Sequence, residues 1–229
     1  MKILSIIPAR SGSKGIKNKN MIKFLGQPLI KRTIDLSKKL PYTTTFVSTD
    51  SIKILRYAKK NNVKFNYLRP KKLSKDNSNI IDAISHALEW FLNKNIYFDY
   101  LLLLQPTSPL RDLSEIKKII RLTKKKNFNS VVTVTEMQEH PYECVVINRK
   151  NQWKYLYKSK HKNQCLRQHY DKNFYFIDGS FYLVRVNFFL KNKILISKKH
   201  TFIYKSQFRK QIDINSYQDL KIAEILTKY

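Results

Sequence analysis

Acidic residues are scarce in this 229-residue chain: Asp and Glu together number 16 against 45 Lys and Arg, for a formal net charge of +29. Cysteine is scarcer still. Its two cysteines, Cys144 and Cys165, cannot build a disulfide framework and have no zinc-site spacing. Long apolar runs are also missing. The longest, Tyr100 to Leu104, has strand length and falls far short of the roughly 20 residues a membrane helix needs. The apolar stretch within Met1–Pro8 is too short for a signal peptide, and no small-residue cleavage site follows it. These absences point to a soluble protein of a reducing, cytoplasmic compartment with no membrane partner. Internal repeats and low-complexity linkers are absent too, so one domain over 1–229 is the simplest organisation.

What is present is ordinary for a globular protein: 42% hydrophobic, 13% aromatic and 27% charged residues. A chain of this length hides roughly 70% or more of its unfolded surface, enough for a substantial core. So basic a chain invites a nucleic-acid hypothesis. The distribution argues against it. Lysines are spread along the whole length in short runs such as Lys124–Lys126 and Lys198–Lys199, and they never condense into one arm. Lys, Asn and Ile are abundant together, as AT-rich coding alone would give. No RNA-recognition signature and no zinc-finger spacing accompanies them.

Hydrophobic runs alternate with helical patterns, which is the α/β signal. Strands are predicted at Ile3–Ile7, Thr44–Ser48, Val63–Leu68, Tyr100–Leu104, Ser130–Thr135 and Phe174–Val184. Helices are predicted at Pro28–Leu40, from the Ser51 cap to Lys60, at Asn79–Phe91, at Ser114–Lys126 with Ser114 as N-cap, and at Ser216–Leu226. Helical crossovers of this length imply a doubly wound, mostly parallel sheet. Residues 138–172 break the rhythm and read as an inserted arm.

The loop after the first strand carries the most chemistry: Pro8-Ala-Arg10-Ser-Gly12-Ser-Lys14-Gly15-Ile-Lys17-Asn-Lys19-Asn20. Ligands of open α/β sheets bind beyond the C-terminal ends of the strands. Glycines let backbone approach a phosphate, and clustered cations offset its charge. The spacing is neither Gly-x-x-x-x-Gly-Lys-Ser/Thr nor Gly-x-Gly-x-x-Gly. Alternatively, the segment is a basic surface loop with turn glycines.

The run Ile7-Pro-Ala-Arg10-Ser-Gly-Ser-Lys14-Gly15 with Lys19-Asn20 resembles the signature of the acylneuraminate cytidylyltransferases, the CMP-sialic acid synthetase family. Leu104-Gln105-Pro-Thr-Ser-Pro-Leu-Arg111 is similar to the family's second motif, and Arg69-Pro70 with Leu73 and Asp76 to its nucleotide-side segment. Arg167-Gln168 and Asp178-Gly179 stand where the family has Arg-Gln and Asn-Gly-Ala, and Ile212-Asp213-Ile214-Asn215 with Asp219-Leu220 stands at its C-terminal acidic motif. The resemblance implies a Rossmann-like nucleotidyltransferase fold. It also implies activation of a nine-carbon 2-keto acid sugar (a nonulosonate) by CTP with release of pyrophosphate, a requirement for Mg2+, and a homodimer joined through the 138–172 arm.

Carried onto these positions, the resemblance makes Arg10, Gly12, Ser13, Lys14, Lys19, Asn20, Arg69 and Ser78 nucleotide-binding, with Lys14, Arg10 and Asp213 catalytic. Cations are needed where charge develops on the transferring phosphate. Gln105, whose amide both donates and accepts, Arg167, whose fork suits a carboxylate, and Asp178 would bind the sugar. Asp213 and Asn215 would hold the metal, a hard cation that prefers oxygen ligands. Two departures stand out: Asn215 brings no charge where the family has a second carboxylate, and Asp178 replaces an Asn. The rival expectations are a synthetase for the eight-carbon 3-deoxy-octulosonate sugar, whose family usually has Arg where Lys14 stands, and a basic nucleic-acid-binding protein.

Overall fold

The computed structural model describes residues 1–12, 15–137, 139–157, 173–208 and 210–228. Ser13, Lys14 and Arg167, all expected at the site, lie outside the described residues, as does 158–172 of the arm.

Alternating burial builds the centre. The first strand, β1 (Ile3–Pro8), sends Ile3 and Ile7 into one apolar cluster and Leu4 and Ile6 into another, so it is covered on both faces, as a central parallel strand must be. A small antiparallel pair, β2 (Lys23–Phe24) with β3 (Gln27–Pro28), precedes helix α1 (Leu29–Lys38). Helix α1 buries Leu29, Ile30, Thr33, Ile34 and Ser37, the helical spacing of one face. Strand β4 (Thr43–Ser48) follows, then α2 (Ile52–Lys60), capped by Ser51 as expected. Helix α3 (Ile80–Leu92), β5 (Tyr100–Leu103), α4 (Leu113–Lys126) and β6 (Ser130–Glu136) continue the alternation. Helices α1, α2 and α4 supply the cluster around Ile3 and Ile7, whereas α3 covers the opposite face through Ile84, Ala87, Leu88 and Phe91. The sheet is therefore doubly wound.

After the arm, whose described part holds the exposed hairpin β7 (Val145–Ile147) and β8 (Trp153–Tyr155), the chain returns in β9 (Tyr175–Arg185). Helix α5 (Val186–Asn192), strand β10 (Thr201–Lys205) and helix α6 (Tyr217–Leu226) complete it. The six-stranded order is β10-β6-β9-β5-β1-β4. Only β9 runs antiparallel to its neighbours, β5 and β6.

Two local expectations are corrected. Val63–Leu68 is not a strand: Leu68 makes a single bridge to Thr49, and Phe65 and Tyr67 instead pack edge-on and tilted against Phe46, Trp90 and Phe91. The cap of α4 is Asp112, not Ser114; its carboxylate accepts from the backbone N–H groups of Ser114 and Glu115 at 2.7 and 3.2 Å. An ionised cap also suits the positive end of the helix dipole. Helix α5 and strand β10 come from a stretch whose periodicity predicted neither.

Lysines end α1, α2 and α4: Lys38, Lys59 with Lys60, and Lys124 to Lys126. In parallel βα units those helix ends lie at the strands' N-terminal edge, away from the ligand edge, where cations meet the negative ends of the helix dipoles. These six lysines of the +29 excess thus have a structural place remote from the site.

Candidate active site

The C-terminal ends of β1 and β5 open into a cleft of about 570 Å3. Arg10, Lys19, Asn20, Arg69, Ser78, Gln105 and Asn215 all line it, so residues from four separate segments of the chain meet there. Asp213 adjoins through Asn215. Asp178 does not line this cleft; it lies on β9, beyond the Gln105 loop.

The loop after β1 is held by its own polar groups. Ala9 N–H donates to the Ser48 carbonyl at 2.8 Å, and Ser11 gives its N–H and Oγ–H to the two oxygens of Asp50, at 2.7 and 2.6 Å. Asn20, 7% exposed, donates Nδ2–H to the Arg10 carbonyl at 2.9 Å. One of its two amide N–H groups is therefore spent on shaping the loop. Gly12 has open space around it, whereas a Cβ on Gly15 would stand 2.3 Å from the Asn215 carbonyl oxygen. Ile16 drives into a small apolar cluster with Ile214, Leu29, Leu110 and Leu220. This packing presses the loop against the C-terminal acidic segment.

Cations ring the cleft. Arg10 pairs with Asp76 at 2.8 Å across its mouth, with both side chains partly in solvent; such pairs contribute about 1 kcal/mol or less. Lys19 Nζ donates to the Ile214 carbonyl at 2.7 Å and to Asn215 Oδ1 at 3.2 Å. Burial lowers the Lys19 pKa, and Asp213 and Asp219 oppose that shift. Arg69 is only 5% exposed, yet its Nε and Nη2 have no hydrogen-bond partner among the described residues. Burial pulls its pKa down, with Asp50 acting the other way. Its backbone is held there by its own N–H, bonded to the Thr49 carbonyl at 2.7 Å, and Tyr67 two residues before it is fully buried. Burial raises the Tyr67 phenol to about 12, and its oxygen sits 2.8 Å from His86 Nδ1. Ser78 is turned inward, donating its hydroxyl to the Lys72 carbonyl at 3.1 Å.

Beyond Gln105 the sheet breaks register. Between the pairs Val132↔Tyr182 and Val134↔Ile177, β9 bulges through Asp178, Gly179, Ser180 and Phe181. Gly179 has φ +69°, a region that suits glycine. The bulge aims Asp178 Oδ1 at three donors: Thr133 Oγ1 at 2.8 Å, Ser180 N at 2.8 Å and Ser180 Oγ at 2.6 Å. Its second oxygen is buried without a partner among the described residues. Arg111 bridges the bulge to the Gln105 loop, donating to the carbonyls of Ser180 at 2.8 Å and Gln105 at 2.6 Å. Burial draws the Arg111 pKa down to about 9, with Asp178 and Asp213 opposing. Tyr182 faces the same carboxylates; burial first, then Asp178 and Asp213, raises its phenol.

Asp50, Arg111 and Tyr182 escaped the sequence reading. Arg111 closes the motif that begins at Leu104-Gln105, and that position is the signal that marks it. The other two have none, because their partners are distant in sequence. No cluster of three or more His, Cys, Asp or Glu side chains suited to a metal occurs among the described residues. Asp213 and the nearby oxygens fit a hard cation only if phosphate oxygens share it, which is the usual manner of Mg2+.

The comparisons agree with this geometry. The chain is 30% identical to a pseudaminic acid cytidylyltransferase of Campylobacter jejuni, covering 100% of this chain and 97% of that one. It is 31% identical to a CMP-N,N'-diacetyllegionaminic acid synthase of Legionella pneumophila over 99% of this chain and 96% of that one. A structure of a CMP:2-keto-3-deoxy-manno-octonic acid synthetase complexed with CTP superposes with a TM-score of 0.68 at 14% identity, covering 100% of this chain and 99% of that one, which establishes the fold. Residues 4–227, all but the extreme ends of the chain, match the cytidylyltransferase family, and the chain belongs to it as an enzyme of that family.

Proposed function

We propose that the chain transfers CMP from CTP to the anomeric hydroxyl of a nonulosonate sugar. The hydroxyl oxygen forms a bond to the α-phosphorus, the bond to the bridging oxygen of the β-phosphate breaks, and pyrophosphate leaves with that electron pair. The hydroxyl proton passes to solvent. The observation that carries this reading is Arg69, a residue lining the cleft that the Arg10–Asn20 loop borders, whose buried Nε–H and Nη2–H groups lack partners among the described residues. Unpaired buried donors are costly, and a nucleotide bound there satisfies them.

In this reading Arg10, Gly12, Ser13, Lys14, Lys19, Asn20, Arg69 and Ser78 form the nucleotide side. Arg10 exchanges its weak pair with Asp76 for phosphate, and Lys14 acts on the charge that develops during transfer. Asn20 contributes by fixing the loop. Gln105, Arg167 and Asp178 form the sugar side, where Arg167 takes the carboxylate. Asp213 would hold Mg2+ together with phosphate oxygens, and the cation would supply charge compensation for the departing pyrophosphate. The exposed Val145, Ile147 and Trp153 on the hairpin support the arm's role in a homodimer. The supply of CTP suits a cytoplasmic enzyme.

Similarity across the full length to the pseudaminic and diacetyllegionaminic acid enzymes favours a nine-carbon sugar with two acylated amines. The unpartnered Asp178 oxygen supports that preference, since an ionised carboxylate only accepts and a second amide N–H supplies a donor. The test is pyrophosphate release with CTP, Mg2+ and a panel of nonulosonates. We expect release with at least one diamino nonulosonate and none with CTP alone. Release only with the eight-carbon 3-deoxy-octulosonate, or with no sugar at all, would overturn the reading.

Two variants probe its two halves. Arg69→Met should weaken CTP binding about tenfold or more, the loss expected for hydrogen bonds from a charged donor. The melting temperature should stay level or rise, because an unpaired buried charge is removed. Calorimetric titration and a thermal melt check both; a lower melting temperature with unchanged CTP affinity makes Arg69 structural. Asp178→Asn should change the ranking of kcat/KM among N-acetylneuraminate and its 5,7-diamino relatives, with KM for CTP little altered. A uniform drop across sugars would assign Asp178 to holding the bulge.

A further inference from the structure

The acidic segment is fixed from several directions. Ile214 is fully buried, and its N–H donates to the Thr107 carbonyl at 2.8 Å. The N–H groups of Asn215 and Ser216 both donate to Asp219 Oδ2, at 2.9 and 2.7 Å, in the capping box that begins α6. Gly15 lies so close that no Cβ fits above the Asn215 carbonyl. In this frame the Asn215 side chain is used at both ends. Its Oδ1 accepts from Lys19 Nζ at 3.2 Å, and its Nδ2–H donates to Asp213 Oδ2 at 2.8 Å. The chemistry of the partners settles which end is which, since an ammonium only donates and an ionised carboxylate only accepts.

We propose that Asn215 is a strut and not a metal ligand: its amide couples Lys19 of the phosphate loop to Asp213, so that Asp213 holds a divalent cation only together with nucleotide phosphates. The inference rests on the cytidylyl-transfer reading and deepens it. An Asp at position 215 would turn a carboxylate oxygen toward Asp213 where Asn215 now presents N–H, and two carboxylates so close hold apart unless a cation lies between them. The native chain avoids that need. Of the two carboxylates acting on Lys19, Asp219 is committed to the capping box through the N–H groups of Asn215 and Ser216, so Asp213 alone is left to face a cation and the free enzyme offers too little negative charge for one by itself. Phosphates of the incoming nucleotide supply the remaining hard oxygen ligands. Metal and nucleotide then enter as one unit, and Lys19, drawn toward phosphate, shifts the amide and with it Asp213.

The test uses Mn2+ as the probe, with free ion read by electron paramagnetic resonance, on full-length protein with and without CTP. Native enzyme is expected to bind no Mn2+ below about 1 mM without nucleotide, and to retain it with CTP. Asn215→Asp is expected to gain nucleotide-free Mn2+ binding by at least about tenfold. In the presence of CTP, Asn215→Ala should weaken Mn2+ retention about tenfold in the native background and less than about twofold in a Lys19→Met background, because removing either end of a strut removes its effect. Equal losses in both backgrounds, or micromolar Mn2+ binding by the native enzyme without nucleotide, would make Asn215 a ligand and overturn the proposal. If CTP itself fails to bind, the transferase reading fails, while the nucleotide-free comparison of native enzyme with Asn215→Asp still decides whether Asn215 ligates. Circular dichroism of each variant keeps unfolding apart from these outcomes.

Discussion

Gly15→Ala, the addition of one methyl group, should cut pyrophosphate release by about a hundredfold or more. The methyl carbon would stand 2.3 Å from the Asn215 carbonyl oxygen and 3.5 Å from its carbon. Both are backbone atoms, so no side chain can swing aside. Ile16 on one side and Ile214 on the other are fully buried in the same apolar cluster, so neither strand of the contact retreats without opening that cluster. The clash therefore separates the phosphate loop from the segment carrying Asp213. A displacement of about 1 Å between catalytic groups costs on the order of a hundredfold in rate. Most of the core lies elsewhere, around the six-stranded sheet, so the melting temperature should fall only by a few degrees, about 1–2 kcal/mol of strain. The measurement is kcat for pyrophosphate release beside a thermal melt. A native rate would mean that the loop and the acidic segment need not touch for transfer.

Arg111→Met should lower stability by about 2–4 kcal/mol and weaken sugar use as well. Methionine matches the length of the arginine stem and offers no donor. The carbonyls of Gln105 and Ser180 lose bonds of 2.6 and 2.8 Å, and the charge that Asp178 opposes at Arg111 is gone. Leaving buried acceptors and a carboxylate without compensation costs several kcal/mol, whatever the net worth of the intact group. That the guanidinium is drawn down to about 9 records the expense of its own burial; it stays charged at neutral pH, and its fork offsets the expense through the carbonyls. For a chain of this size such a loss lowers the melting temperature by on the order of 10 °C. Below that temperature, KM for the sugar should rise more than KM for CTP, since the fork joins the Gln105 loop to the Asp178 bulge. Arg111→Lys should recover part of the stability but less of the sugar KM, because one ammonium cannot span both carbonyls. If Arg111→Met melts as the native protein does, the fork is dispensable and the coupling of loop to bulge is wrong.

Different physics explains what was legible in advance. Strands β1, β4, β5 and β6 and helices α1, α2, α3 and α4 were readable within a residue or two, because burial on a sheet or helix face imposes periods of two and 3.6 on the local sequence. The doubly wound arrangement followed from the alternation. The resemblance named Arg10, Lys19, Asn20, Arg69, Ser78, Gln105 and Asn215, and the fold brings these to one cleft. Their chemistry is set by residue type, which the chain spells out.

Tertiary structure decided the rest. Phe65 and Tyr67 alternate as a strand would, yet neighbouring rings from β4 and α3 take them instead of a ladder. Asp112 outcompetes Ser114 as a cap because its carboxylate reaches two backbone N–H groups, a choice made by the entry angle of the chain. Asp50 holds Ser11 across 39 residues, Arg111 holds Ser180 across 69, and Lys19 meets Asn215 across 196. No local pattern encodes such pairings. Residue types alone determined that this chain could bring cations, an amide and a carboxylate to a phosphate-binding edge. Only the folded packing decided that Asn215 turns its oxygen to Lys19 and its nitrogen to Asp213, because hydrogen-bond direction depends on which partners the third dimension places within reach.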